Sequence, residues 1–287
     1  MPGMALISFE KETLVTRMAA YFNENITDAE VAKIYPSLMM TGNRIVGPKA
    51  REKVLRDFCF DETRIVRYPF KPYDVRWCYL ENLRPLFSEP SPQLLQQRFE
   101  GNGFLITRDT ADKSVEGPPF YFSRLVCDYD CVSGHARHFP IQIYPIAGDK
   151  EIQPIESSGV GLGTILGDAI SDGSAPEAQI RANLSSAARS YLATLGITDL
   201  DTDANSAALL WMHALAIGFS SAYLIENRDG IRGDWPRIPV PQLKELLLES
   251  AALGHTVAGL LDTQMSVDGV TAGDLRAEVK QIGMLSI

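Results

Sequence analysis

Tyr68-Pro-Phe-Lys-Pro-Tyr-Asp-Val-Arg-Trp-Cys-Tyr79 is the stretch on which the reading of this chain turns. Pro69 and Pro72 fix φ and remove two backbone donors, so residues 68–74 are not an ordinary helix. Beyond them Val75, Trp77 and Tyr79 alternate with Arg76 and Cys78, the period of a strand. The expectation is a proline-stiffened loop that holds Lys71, Tyr73 and Arg76 at the mouth of a sheet.

Working outward, helical periodicity precedes this stretch at residues 10–22, 28–34 and 48–58, with Thr27 placed to cap the second helix. Strand patterns occupy 64–68, 75–80, 104–107, 121–127 and 139–144, interrupted by a short helix at 92–99. Residues 108–119 are polar, hold Gly117-Pro-Pro119 and read as a loop. After Pro145 the character changes: residues 156–174 are rich in Gly and Ser and read as a long connection. Helical patterns then dominate, at 184–195, 204–226, 242–261 and 272–282. The fold expected is α+β: a helical lead-in (1–60), a mixed-sheet core (61–150), then a flexible connection and helical subdomain (151–287).

Net charge is −9 over 287 residues, the wrong sign for a protein that coats nucleic acid. The charge is uneven, however. Residues 41–108 carry twelve Lys or Arg against eight Asp or Glu, a net of +4 that leaves −13 elsewhere. A local cationic face is enough to engage a few base pairs; the bland alternative is an ordinary solvated surface. The four cysteines, Cys59, Cys78, Cys127 and Cys131, show no disulfide-framework spacing. Charges run through residues 1–20, so no signal peptide is expected. The apolar run 207–225 is broken by His213, Gly218, Ser220 and Ser221 and reads as a buried helix, not a membrane span. The expectation is a soluble protein of a reducing, cytoplasmic compartment.

Several chemistries lack their residues. Cys127, Cys131, His135 and His138 fall within twelve positions, but the pairs are too close for an ordinary zinc finger, and no metal is expected. Of the four histidines, His213 and His255 lie in apolar helical patterns, where core roles are the rule. No Gly-x-Ser-x-Gly elbow is present. The glycines of residues 159–167 do not follow a convincing strand and read as connection, not as a nucleotide loop.

The 68–79 stretch resembles the Y-x-x-R-P-F-D-x-R-W signature in the C-terminal specificity region of type ISP and related single-chain restriction–modification methyltransferases. Lys71 stands where that family usually has Arg, and Tyr73 where it has Phe. Other elements are similar in order. "TDAEVAKIYP" resembles the segment leading into the specificity region, Gly103-Phe-Leu-Ile-Thr-Arg108 its G-L-x-x-T-R strand, and His138-Phe-Pro-Ile-Gln-Ile-Tyr-Pro145 its F-P-L-Y-L-Y-P strand. Arg181-Ala-Asn-Leu-Ser185 matches a short Asn-Leu-Ser element, and Asp234-Trp-Pro-Arg-Ile-Pro-Val-Pro241 the F-P-R-I-P-L-P element. The matches span residues 9–261.

The resemblance implies sequence-specific recognition of double-stranded DNA inside a prokaryotic enzyme that methylates adenine N6. S-adenosylmethionine would be bound by an upstream methyltransferase domain, and an ATP-driven nuclease is a further expected part. Adenine methylation needs an [N/D/S]-P-P-[Y/F] tetrapeptide at the flipped base; Gly117-Pro-Pro-Phe120 lacks its polar residue. The chain alone is therefore expected to be a non-catalytic piece of a longer protein, without a cofactor of its own. Base readout needs Arg or Lys for guanine and Asn or Gln for adenine on a rigid scaffold. The candidates are Lys71, Tyr73, Arg76, Arg84, Asn102, Arg108, Lys113, Arg124, His135 and Arg137, with Arg44, Lys49, Arg51 and Lys53 as phosphate contacts. Arg76 has a second reading, as a structural cation paired with Asp74 or Glu81. The competing class is a protein-interaction module of a phage-defence assembly, favoured by the acidic charge and the apolar helix at 207–225.

Overall fold

The computed structural model describes residues 5–42, 46–81, 91–109, 117–132, 135–144, 179–266 and 268. Four helices lead in: α1 (Lys11–Tyr21), α2 (Asp28–Ile34), α3 (Pro36–Met39) and α4 (Gly47–Asp57). Thr27 caps α2 as expected, and reciprocally: its hydroxyl accepts the Glu30 amide at 3.3 Å while the Glu30 carboxylate accepts the Thr27 amide at 2.8 Å. Gly47 begins α4 because a Cβ there would lie 2.2 Å from the Met39 carbonyl oxygen.

A first sheet follows, in the order β1 (Ile7–Ser8), β3 (Asp74–Tyr79), β2 (Ile65–Lys71). Trp77 and Tyr79 turn one face of it towards Leu14, Met18, Tyr21 and Val54 of the lead-in helices. Tyr68, Cys78 and Leu80 form a smaller apolar cluster with Ile7 on the other face. The proline-rich stretch is thus not the loop expected from its prolines. β2 runs through Pro69 to Lys71, with a register irregularity between them, and Pro72–Tyr73 alone make the turn. An edge strand tolerates proline because its outward N–H has no partner to lose.

The second sheet, in the order β5 (Phe120–Ser123), β4 (Phe104–Thr107), β6 (Arg137–Pro140), is nearly enclosed. A third, two-stranded sheet pairs β7 (Gln142–Ile143) with β8 (Arg181–Ala182). All the described pairings are antiparallel. The α+β class is as expected, but among the described residues three small antiparallel sheets stand where one mixed sheet was anticipated. No described helix serves as the crossover that parallel neighbours need.

Boundaries shift for local reasons. The strand expected at 121–127 stops at Ser123, whose hydroxyl accepts the Leu125 amide at 3.0 Å and turns the chain. The strand expected at 139–144 splits around Ile141, whose amide turns to Gly103 O. The helix expected at 92–99 is α5 (Pro92–Gln96), and the Gln97 carboxamide oxygen accepts the Tyr144 amide at 2.7 Å. The Asn-Leu-Ser element has a structural job: the Asn183 side-chain nitrogen donates to Pro140 O at 2.7 Å, and Ser185 caps α6 (Ser186–Thr194).

The helix expected at 204–226 breaks at Phe219–Ser220 into α7 (Ala204–Gly218) and α8 (Ser221–Glu226). Gly218 sits against the Phe120 ring, where a Cβ would come within 2.2 Å of carbon. A short α9 (Arg228–Gly233), unforeseen because only its Ile231 is buried, precedes α10 (Lys244–Leu261). α7 and α10 cross in backbone contact at Gly254 and build the largest core with β4, β5 and α6. The pattern at 272–282 and the Gly/Ser-rich connection at 156–174 lie outside the described residues. Among the described residues no helix is long and apolar enough to cross a membrane.

Candidate functional site

The β2–β3 hairpin docks on the loop between β5 and β6. Asp128, only 3% exposed, joins the two. Its amide donates to Pro69 O at 2.9 Å, and its carboxylate accepts the Tyr68 hydroxyl at 3.2 Å and the Asp130 amide at 2.9 Å. The Asp128 carbonyl accepts the Cys131 amide at 2.9 Å, closing a tight turn. Lys71, exposed at the end of β2, donates its ammonium to the Asp130 carbonyl. Burial and the nearby Asp128 carboxylate push the Tyr68 phenol well above its ordinary pKa, so it remains a donor.

This join puts the hairpin turn beside a small aromatic group. Tyr129 and His135 stack with centroids 4.2 Å apart and planes 15° from parallel. His135 Nδ1 lies 3.2 Å from Asp130 Oδ1. The Arg137 guanidinium stands 5.8 Å from the Tyr129 ring centre and pairs with Asp109 at 3.3 Å. Tyr73 is 64% exposed at the hairpin tip, with φ of 63°, and His135 has φ of 71°. Positive φ is uncommon for residues other than glycine and is held here by the surrounding contacts. Lys71, Tyr73, His135 and Arg137 therefore gather at one edge. Tyr129, 45% exposed, belongs with them and was missed by sequence reasoning. Its signal was an aromatic between two acids, in Cys127-Asp-Tyr-Asp-Cys131.

The other described candidates are held by partners of their own or lie on other surfaces. Arg76 forks onto Asp74 at 2.6 Å, sandwiched between Phe9 at 4.4 Å and Phe70 at 4.1 Å, so the structural reading describes its place. Asn102 is buried, its side-chain nitrogen donating to Gln97 O and Gln142 O at 2.9 Å each. Arg108 is buried as well. Arg124 is partly exposed and pairs at 2.7 Å with the buried Asp262 at the end of α10. Arg51 is a core clamp, not a surface cation: it reaches Tyr21 O, Asn23 O and Ile26 O at 2.7–2.9 Å and the Asp28 carboxylate at 2.7 Å. Three backbone carbonyls and a carboxylate outcompete solvent for its fork. Lys49 and Lys53 are exposed on α4. Arg44, Arg84 and Lys113 lie outside the described residues, as do the glycines of 159–167.

The cysteine–histidine group shows no metal geometry: among the described residues no three His, Cys, Asp or Glu side chains converge on one point. His138 Nε2 accepts the Cys127 amide at 3.1 Å and lies 3.2 Å from its sulfur, while His135 faces Asp130. Burial pushes His138 down to about 4 and the Cys127 thiol well up. His213 is a satisfied core residue: Nε2 donates to Pro239 O at 2.8 Å, leaving Nδ1 to meet the Ser250 hydroxyl at 2.7 Å. His255, expected in the core, is exposed, because α10 turns that face outwards.

Solved structures that share the fold include three described with DNA. A cryo-EM structure of the DrdV–DNA complex matches 93% of this chain with a TM-score of 0.57 at 14% identity. The ATP-dependent Type ISP restriction–modification enzyme LlaBIII bound to DNA matches 92% with 0.56 at 12%. A nuclease-deletion mutant of the Type ISP enzyme LlaGI in complex with a DNA substrate mimic matches 92% with 0.50 at 16%. The chain covers 23%, 15% and 18% of their respective lengths. No curated protein matches the chain. The model of the Type ISP C-terminal specificity domain, by contrast, matches residues 5–267. That span takes in the hairpin, the loop it docks on and the helices behind them, and the chain belongs to the Type ISP C-terminal specificity domain family.

Proposed function

We propose that this chain recognises a specific sequence in double-stranded DNA as the target-recognition part of a restriction–modification enzyme. The observation that carries the reading is the convergence of Lys71, Tyr73, Tyr129, His135 and Arg137 on one edge, held by bonds between a hairpin and a loop. Donors, acceptors and aromatic faces on a preorganised support are what base-edge readout requires. Asp109 and Asp130 balance the local cations, so this edge reads, and phosphate binding is carried elsewhere, with Lys49 and Lys53 as exposed contributors. Family membership and the DNA named with all three similar structures support the same reading.

Adenine-N6 methylation with S-adenosylmethionine, and cleavage by a nuclease and ATPase, are assigned to other parts of the parent protein, in a prokaryotic cytoplasm and in defence against phage. This chain orients the duplex and supplies no reacting group.

One observation favours a protein-interaction role beside it. Leu246, Leu253 and Leu260 are exposed at seven-residue intervals along α10, a spacing that lines them on one helical face.

The deciding experiment exchanges this chain between two enzymes of the family with different methylation sites and maps methylated positions by sequencing. The site is expected to travel with the chain. A site that stays with the recipient enzyme refutes recognition, and a hybrid that loses assembly without changing site supports the interaction reading. Calorimetry of the chain alone with S-adenosylmethionine is expected to show no heat of binding.

A further inference from the structure

The hairpin and the loop that form the candidate edge belong to different apolar clusters. Tyr68 packs with Ile7, Cys78 and Leu80, whereas Val126, Cys127 and Cys131 pack with the second sheet and the C-terminal helices. Their relative register is therefore not set by one shared core. The bonds of Asp128 to both pieces set it, joined by that of the Lys71 ammonium to the Asp130 carbonyl. Its amide holds Pro69 O and its carboxylate holds the Tyr68 hydroxyl on the hairpin side; the same carboxylate holds the Asp130 amide on the loop side.

We propose that Asp128 is a positioning residue for target recognition, acting through Tyr68 to hold the hairpin tip in register with the Tyr129–His135 stack. The inference rests on the recognition reading. Several features support it. Asp128 is 3% exposed, so its side chain is closed off from a duplex at the surface. The tip it positions carries an exposed Tyr73, and the loop it positions carries an exposed Tyr129. A charged acceptor in a buried setting forms the stronger kind of hydrogen bond, so the carboxylate holds both partners firmly. The loop cannot slide along the hairpin without breaking the bond from the Asp128 amide to Pro69 O as well.

The test uses the whole protein that carries this chain, on a duplex containing the site mapped for the wild type and on a scrambled duplex of equal length. Tyr68→Phe removes the bridging hydroxyl and keeps the ring; Asp128→Asn keeps the shape and removes the charge. Both variants are expected to lose about tenfold in discrimination between the two duplexes, the size of one hydrogen bond. Affinity for the scrambled duplex should stay at the wild-type value and the melting temperature of Tyr68→Phe should fall by only about 2–4 °C, the share of one hydrogen bond in a chain of this size, while amide hydrogen exchange at Tyr129, Asp130 and Cys131 accelerates. Faster exchange with unchanged discrimination would overturn the proposal. So would equal losses on both duplexes in step with a lowered melting temperature, since Asp128 would then be a core residue only. A wild-type protein that discriminates between no duplexes removes the recognition reading itself, and this inference with it.

Discussion

Gly254→Ala tests the packing behind the candidate edge. A Cβ at this position of α10 would lie 1.9 Å from the Met212 carbonyl oxygen of α7, 2.5 Å from its carbon and 2.9 Å from Met212 Cα. All three are backbone atoms, so no side-chain rotation relieves the overlap. Ordinary contact begins near 3.4 Å, so the helices must part by about 1.5 Å. Parting them loosens Met212, Leu215, Leu247 and Ala251, which are nearly or wholly enclosed. Overpacking of this kind costs about 3 kcal/mol at the upper end of the usual range, and the better helix propensity of alanine returns about 1 kcal/mol. The net loss is about 2 kcal/mol, which lowers a urea midpoint by about 0.7 M for a slope of about 3 kcal/mol/M. Gly259→Ala supplies the control in the same helix. Nothing lies within 4 Å of a Cβ there, so only the propensity gain of up to about 1 kcal/mol remains. Circular dichroism during urea denaturation measures both. Equal midpoint shifts for the two variants, or a stabilised Gly254→Ala, would refute backbone contact between α7 and α10.

Arg51→Ala is expected to destabilise by about 2–3 kcal/mol, because it leaves one buried and two part-buried carbonyls without their donor and the half-exposed Asp28 without its partner; thermal unfolding reads this directly, and a loss under 1 kcal/mol would mean solvent replaces it. His138 gives a pH dependence. Burial lowers its folded-state pKa to about 4, against about 6.5 when unfolded, so between these values the unfolded chain binds the extra proton. Stability from this group is full above pH 6.5 and falls as pH drops towards 4, reaching a loss of about 2–3 kcal/mol at pH 4.5. Urea midpoints for wild type and His138→Gln at pH 7 and 4.5 isolate it, and identical slopes for the two proteins would exclude it.

The elements legible in advance were those whose signal is local. α2 and β4 appear with the expected bounds, since a capping box declares one and a short apolar run between polar turns the other. The order of helical and strand periodicities carried the α+β class. What stayed hidden was tertiary. Pro69 reads as a strand breaker until its place on an edge is known. Gly218 gives no hint of the Phe120 ring against it. The same limit applied at the site. Arg51 and Asn102 have the composition of nucleic-acid contacts, and burial, which residue type does not encode, commits them to backbone carbonyls. Lys71, His135 and Arg137 do meet, but the residue that joins their supports is an acid, Asp128, for which a search among donors had no place.

On the proposed reading, the seam between hairpin and loop has a consequence for how such a protein would change its target. Pro69 and Asp130 both contribute main-chain carbonyls to it, and Asp128 contributes its amide. Main-chain atoms are common to every residue type. The side chain at Tyr129 can therefore be exchanged while those bonds remain, and those at Tyr73 and His135 within the residue types that accept positive φ, so the scaffold separates the grammar of the join from the vocabulary it displays. A library confined to these three positions samples new words without rewriting the fold.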